Sequence, residues 1–322
     1  MKICLVKTSS MGDVIHALPA LTDAQRAIPD LQVDWVVERA FAEIPQWHSA
    51  VRNVVPVAIR QWRKRLVSPQ TWQEWRAYVS QLKSEKYEAV IDAQGLLKSA
   101  VLATRLANGT KHGYDKNSAR EGLSACFYDK KYAIPYQQHA VERIRKLFAQ
   151  SLGYDLPNEV GDYDIARHFA KNSANLTACK PYVVAIHATT RADKHWTEQA
   201  WAALFSQICQ TGVEVHLPWG NLAEKARAER LAQSSPLIKV LPKLTLTPLA
   251  QHLAEATAVV SVDTGLSHLT AALDKPNIIL YGATDPNLIG AYGKNQHYLT
   301  ACSMAEISAE QVWDRLSDLL PK

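Results

Sequence analysis

Short apolar runs alternate with helix-length amphipathic stretches along almost the whole chain, and this alternation restricts the fold more than any other feature. In the first half the runs are KICLVK (2–7), QVDWVV (32–37), NVVPVA (53–58) and EAVIDAQ (88–94). The pattern restarts with YVVAIHA (182–188), VEVHLPW (213–219), IKVLP (238–242), AVVSVD (258–263) and NIILYG (277–282). Helical spacing runs near Gln73–Ser84, Leu96–Leu106 and His139–Leu152, then near Glu198–Gln210, Leu222–Ala232, Pro248–Ala254 and Leu266–Leu273. A last helix near Ala305–Leu319 is assigned to neither half by its periodicity. Strands that are apolar throughout are covered on both faces. Alternation with helices therefore predicts an α/β protein with a doubly wound parallel sheet in each half. The 322 residues suit two domains at roughly 100–200 residues each. The predicted domains are 1–165 and 166–322, joined through the polar, turn-rich stretch 153–181.

Composition narrows the class. The chain is 47% hydrophobic and 21% charged, enough for ordinary cores, and its net charge of +5 permits an anionic partner without pointing to nucleic acid. The cysteines (Cys4, Cys126, Cys179, Cys209, Cys302) form no C-x-x-C pair, so they predict reduced thiols in a cytoplasmic protein. No apolar run approaches the ~18 residues of a membrane span, and no signal-peptide core opens the chain. The expectation is a protein without a transmembrane segment, which can still work at a membrane surface. Neither G-x-G-x-x-G nor G-x-x-x-x-G-K-[ST] is present, although GAYGKN (290–295) grazes the latter. The histidines lack H-E-x-x-H or paired metal spacing, and no metal site is predicted.

Several stretches carry chemistry. In LVKTSSMGDVIHALPAL (5–21) a buried-looking strand runs into a Ser-Ser-x-Gly-Asp turn. Asp13 can cap the following helix, or it can stand as a carboxylate at the carboxyl end of a first strand, where open α/β sheets bind ligands. IHATTRADKHW (186–196) gathers two threonines, Arg191, Lys194 and His195 between a strand and a helix. Hydroxyls, cations and free backbone N–H groups suit a phosphate, and a solvated loop is the plainer alternative. VVSVDTGLSHLTAAL (259–273) ends a strand at Asp263 and opens a helix with Thr264, Gly265 and Ser267; a helix start needs one capping residue, not four in a row. IRQWRKR (59–65) clusters Arg60, Arg63, Lys64 and Arg65 around Trp62, either as a solvated face or as an anion site. Asp162 and Asp164 in GDYDIA have the Asp-x-Asp spacing of metal-dependent sugar transferases, but away from a strand end they read as turn chemistry.

KTSSMGDVIHALPAL, IRQWRK, VIDAQGLLKSA, HATTRADKHW, LPWG and SVDTGLSHLTAALDKPNIILYGATDP together resemble the lipopolysaccharide heptosyltransferase I family. The resemblance covers nearly the whole chain and implies a GT-B glycosyltransferase, two Rossmann-like domains facing a cleft. It implies inverting, metal-independent transfer of heptose from ADP-L-glycero-β-D-manno-heptose to the inner Kdo (keto-deoxy-octulosonic acid) of Kdo–lipid A. The implied location is peripheral, on the cytoplasmic face of the inner membrane, and no cofactor is implied. By position, Asp13 matches the general base, and Thr189, Thr190 and Lys194 match the donor-phosphate contacts. Asp263, Thr264, Gly265 and His268 match the second donor motif, Glu224 the nucleoside carboxylate, and Leu244 a nucleoside contact where the family has Met. Arg60, Arg63 and Lys64 match the acceptor patch, and Arg120, in the less distinctive KHGYDKNSARE (111–121), is a further acceptor candidate.

An inverting transfer needs a base to take the acceptor hydroxyl proton as oxocarbenium-like charge builds, by analogy with glycoside hydrolysis. The resemblance gives that role to Asp13. Without a metal, Lys194 is the group to stabilise the departing phosphate. A later-acting heptosyltransferase, a nucleotide-sugar epimerase of the same architecture and a non-catalytic anion-binding module stay open on sequence alone.

Overall fold

The computed structural model describes residues 1–173 and 180–321, which fall into two compact units, Met1–Asp164 and Ile165–Lys322. In the first unit the strands are β1 (Lys2–Val6), β2 (Gln32–Glu38), β3 (Val51–Val57), β4 (Lys86–Asp92), β5 (Asn108–Tyr114) and β6 (Lys130–Tyr132). In the second they are β7 (Tyr182–Ile186), β8 (Glu214–Leu217), β9 (Ile238–Val240), β10 (Ala258–Val262), β11 (Asn277–Tyr281) and β12 (Gln296–Thr300). The sheet orders are β3-β2-β1-β4-β5-β6 and β12-β11-β10-β7-β8-β9, with every pairing parallel. Both sheets thus carry the doubly wound order, each with one reversal of strand order. In the first unit the reversal lies between β1 and β4, where Ile3 pairs with Ala89 and Val6 with Asp92. In the second it lies between β7 and β10, where Val183 pairs with Ala258 and Ile186 with Ser261. Open sheets of this kind bind ligands outside the carboxyl ends at the reversal.

Burial on both faces explains the apolar runs. Ile3, Cys4, Leu5 and Val6 are all 0% exposed. Cys4 and Val6 pack with Val36, Val57, Val90 and Leu82 of the first core, which also takes in Trp62 and Tyr78. In the second unit Val183, Ala185, Val260 and Val262 meet Trp201, Phe205, Val312 and Leu316. The last helix, Ala309–Leu316, therefore belongs to the second unit. Ser308 caps it, and the Trp196 indole N–H donates to the Ile307 carbonyl at 2.8 Å.

Three strands lack an apolar run. KKY (β6) and QHYLT (β12) are edge strands, whose polar residues discourage further pairing on the open side, and NGTKHGY (β5) lies next to the edge, paired to β4 and to the short β6. The stretch read as a linker contains a helix, Ala166–Ser173. Phe169 on that helix is buried, and its carbonyl accepts from Gln251 on the helix Leu246–Glu255 at 3.5 Å. Residues 174–179 of that stretch, Cys179 among them, lie outside the described residues. Cys4, Cys126, Cys209 and Cys302 are free thiols, and no helix among the described residues is long and apolar enough to cross a membrane.

Candidate active site

At the first reversal, β1 ends and Ser10, in an extended conformation, becomes the N-cap of the short helix Met11–Ile15. Asp13 is therefore not the cap but the third helical residue, and its Oδ2 accepts the Ser10 N–H at 2.8 Å and the Ser10 hydroxyl at 3.0 Å. A buried chain of bonds sets this turn. Gln94, just past β4, accepts the N–H of Thr8 at 2.9 Å and of Ser9 at 3.2 Å through Oε1. Asp92 in turn accepts the N–H groups of Gln94 at 2.9 Å and Gly95 at 3.1 Å, together with the hydroxyls of Ser99 and Thr104. Complete burial raises Asp92 above the ordinary carboxylate range despite those donors.

Charge at this turn is also arranged. Burial pushes the Asp13 carboxyl upward, but the Lys7 ammonium, both Ser10 bonds and the Arg120 guanidinium outweigh it and hold Asp13 below its usual value. Lys7 is 6% exposed and donates to the Ala93 carbonyl at 2.9 Å. Burial lowers Lys7, while Asp13 and Asp92 favour its charged form. Arg120 is exposed on the loop after β5, which Glu121 joins to the β4 turn. The Glu121 N–H donates to Gly95 at 3.0 Å, and its carboxylate accepts from Leu97 at 2.7 Å.

Arg60, Arg63 and Lys64 are exposed on and just after the short helix Ile59–Trp62 that follows β3. Arg60 N–H donates to Glu38 Oε1 at 3.3 Å, and Glu38 N–H donates to Thr8 at 3.0 Å, so two hydrogen bonds link Arg60 to the Asp13 turn. Trp62 is buried beneath the cluster, with its indole N–H on Glu74 at 2.9 Å. Sequence reading missed Lys7, Gln94 and Arg143. The first two stand directly after apolar strands, a readable signal. Arg143 lies over the rings of Tyr114 at 4.9 Å and Tyr136 at 4.3 Å, a contact only the fold creates.

At the second reversal, β7 leads into Thr189 and Thr190 and a 3-10 turn, Ala192–Lys194. Lys194 Nζ lies 2.5 Å from Asp263 Oδ2, the Thr189 hydroxyl donates to the Asp263 carbonyl at 3.2 Å, and His195 Nε2 donates to the Thr189 carbonyl at 2.9 Å. Thr264 is the N-cap of the helix Gly265–Ala272, which carries the buried His268. Beside this crossing lies a cavity of about 430 Å³ lined by Thr189, Thr190, His195, Asn221, Glu224 and Arg227, among others. Asn221 N-caps the helix Leu222–Ala232, and the Glu224 carboxylate accepts the Gly220 N–H at 2.7 Å and the Asn221 amide at 2.7 Å. Glu224 is thus held at the cavity wall. Arg227 donates to the Trp196 carbonyl at 2.5 Å and is lowered by burial. Asn221 and Arg227 are not among the predicted donor contacts, whereas His195 belongs to the loop that the sequence marks as suited to a phosphate. Leu244 is half-buried in the loop after β9, at the same carboxyl end of the sheet but not among the cavity-lining residues.

Asp162 pairs with Arg26, and its Oδ1 accepts the Asp164 N–H at 2.9 Å. No group of three or more His, Cys, Asp or Glu among the described residues is placed to hold a metal ion.

Residues 75–314 match the model of glycosyltransferase family 9 (heptosyltransferase). The chain is 54% identical to the lipopolysaccharide heptosyltransferase 1 of Escherichia coli K12 over 99% of this chain and 100% of the relative. The structure of E. coli heptosyltransferase WaaC with ADP superposes with a TM-score of 0.96 at 53% identity, covering 99% of this chain and 100% of that one. The same enzyme with ADP-2-deoxy-2-fluoro heptose gives a TM-score of 0.92 at 52% identity over the same shares. Family match, near-complete coverage and the shared architecture agree: the chain belongs to glycosyltransferase family 9, the heptosyltransferases.

Proposed function

We propose that this chain transfers L-glycero-D-manno-heptose from ADP-L-glycero-β-D-manno-heptose to the inner Kdo of Kdo–lipid A, with inversion and no metal in the chemical step, at the cytoplasmic face of the inner membrane. The observation that carries the reading is the grouping of Lys194, Asp263 and Thr189 beside the cavity that Glu224 lines. It combines a cation, hydroxyls and a helix N-terminus for phosphate with a fixed carboxylate for a nucleoside. The name of the E. coli relative and the fluoro-heptose nucleotide of the solved WaaC structure support the same donor.

In this mechanism the acceptor hydroxyl oxygen attacks the anomeric carbon from the face opposite the phosphate. The new carbon–oxygen bond forms as the bond to the β-phosphate breaks, and its electron pair leaves on ADP. Asp13, ionised in its electropositive turn, receives the hydroxyl proton. Lys194 meets the charge growing on the β-phosphate, an interaction stronger in the transition state than in the bound donor. Thr189, Thr190 and the helix start at Thr264 supply neutral donors, and Glu224 holds the nucleoside, with Leu244 an apolar neighbour. Asp263, Gly265 and His268 shape the phosphate-facing turn. Arg60, Arg63, Lys64 and Arg120 meet the anionic groups of the acceptor.

Mass spectrometry of Kdo–lipid A after incubation with the protein and ADP-heptose tests the proposal. One added heptose is the expected product. Heptose added only to an acceptor that already carries one marks a later-acting transferase. Donor isomerised without acceptor marks an epimerase, and ADP binding without turnover marks a binding module.

A further inference from the structure

Val67 is 96% exposed, Leu66 63% and Trp72 55%, although all three are large apolar side chains on a well-formed turn. Arg65 N–H donates to Trp62 and Ser68 N–H to Arg65, both at 3.0 Å, so Leu66 and Val67 project from a closed loop anchored by the buried Trp62. Trp72 follows on the first turn of the helix Pro69–Ser84. This loop succeeds β3, so it stands at the carboxyl end of the first sheet, the end that carries Asp13. Leu97 after β4 and Leu123 after β5 are also exposed at that end. Leu66, Val67 and Trp72, close together on one loop and the helix start that follows it, form the kind of local apolar group that marks an interaction surface.

The surrounding charge identifies the partner. Arg63, Lys64 and Arg65 are exposed immediately before the tip, and of the three only Arg65 shares the field of a nearby carboxylate, Glu74. The nearby acids are already engaged: Glu74 by Arg39 and the Trp62 indole, Glu121 by the Leu97 N–H. Apolar side chains directly preceded by exposed cations match a bilayer that offers acyl chains beneath anionic headgroups. We infer that the Leu66–Val67 tip, with Trp72 beside it, docks this protein on an anionic phospholipid bilayer and presents the Asp13 end of the sheet to a lipid-borne acceptor. The inference deepens the proposed function and rests on it for the nature of that acceptor.

Co-sedimentation of the full chain with phosphatidylethanolamine/phosphatidylglycerol vesicles, against phosphatidylcholine vesicles, tests the docking directly. The chain should sediment with the anionic vesicles and be released by salt of about 0.5 M. Leu66→Ser/Val67→Ser should weaken vesicle binding about tenfold or more, the effect of withholding two apolar side chains from lipid. The variant should turn over a water-soluble, lipid-free Kdo acceptor as the wild type does, and lose activity on acceptor embedded in vesicles. Equal binding to neutral and anionic vesicles, no binding, or undiminished binding by the variant overturns the inference. So does loss of self-association in sedimentation velocity without an effect on vesicles, which would make the tip a contact between copies of the chain. Failure of heptose transfer on both acceptors would overturn the proposed function while leaving the vesicle result readable.

Discussion

Lys194 and Asp263, 69 positions apart in the chain, form a largely buried ion pair with Nζ 2.5 Å from Oδ2. It joins the loop after β7 to the turn after β10, the two strands that flank the second reversal. An ammonium with three donors keeps this partner and still has N–H groups for a phosphate.

Lys194→Ala should therefore lower kcat by about 10²–10³-fold, the loss of one electrostatic stabiliser. Affinity for ADP should fall less, because Thr189, Thr190 and Glu224 remain. Asp263→Asn removes the group that positions the ammonium, so the two effects on kcat should be non-additive in a double-mutant cycle. Strictly additive losses would separate Asp263 from Lys194 in function.

The pH behaviour follows from the first turn. Burial raises Asp13, but Lys7, Ser10 and Arg120 together depress it below an ordinary carboxyl. A depressed carboxyl contributes stability above its unfolded-state value, and that contribution is lost as pH falls through the folded-state value. Asp13, the proposed base, therefore stays ionised to lower pH than a free aspartate. Lys7→Met should shift the acidic limb of the kcat/KM profile to higher pH, and Lys7→Arg should restore part of the shift. A limb unmoved by Lys7→Met would remove Lys7 from the tuning of Asp13.

Gln94 holds the turn by accepting from Thr8 and Ser9. Gln94→Leu leaves two buried donors without that acceptor, and a stability loss of roughly 1–3 kcal/mol follows in thermal or urea melts. Turnover should fall while ADP affinity in the second unit is unchanged. Equal loss of ADP binding would show general unfolding and not a displaced Asp13.

Arg60→Ala/Arg63→Ala/Lys64→Ala should raise acceptor KM and leave ADP affinity as it was, since these side chains lie after β3 and face solvent. A charge-assisted hydrogen bond from any one of them to the acceptor is worth about 1.5–3 kcal/mol when it forms in a partly desolvated site. An unchanged acceptor KM would remove the cluster from acceptor binding.

Much of this architecture is legible in the sequence because parallel strands buried on both faces must be apolar from end to end, as KICLV and AVVSV are. The same rule hides β5, β6 and β12, where position near a sheet edge lets polar residues such as Lys130 and Gln296 enter strands. The helix Ala166–Ser173 is hidden for another reason: its apolar residues are few, and it packs against a helix distant in the chain, Leu246–Glu255. Candidate site residues are legible where a loop leaves a strand at a reversal, as Asp13, Thr189 and Asp263 do. Gln94 is marked only by its place just after an apolar strand, and Arg227, whose partner Trp196 is distant in the chain, by no local pattern.

The most direct test of a metal-free transfer with Asp13 as its base is the single-turnover rate of Asp13→Asn against wild type, measured in EDTA with saturating ADP-heptose and Kdo–lipid A. The expected result is unchanged ADP affinity and folding, wild-type transfer that survives chelation, and a rate for the variant lower by about 10²–10⁴-fold. An Asp13→Asn rate within a few-fold of wild type, or wild-type transfer abolished by EDTA and restored by magnesium, would contradict it.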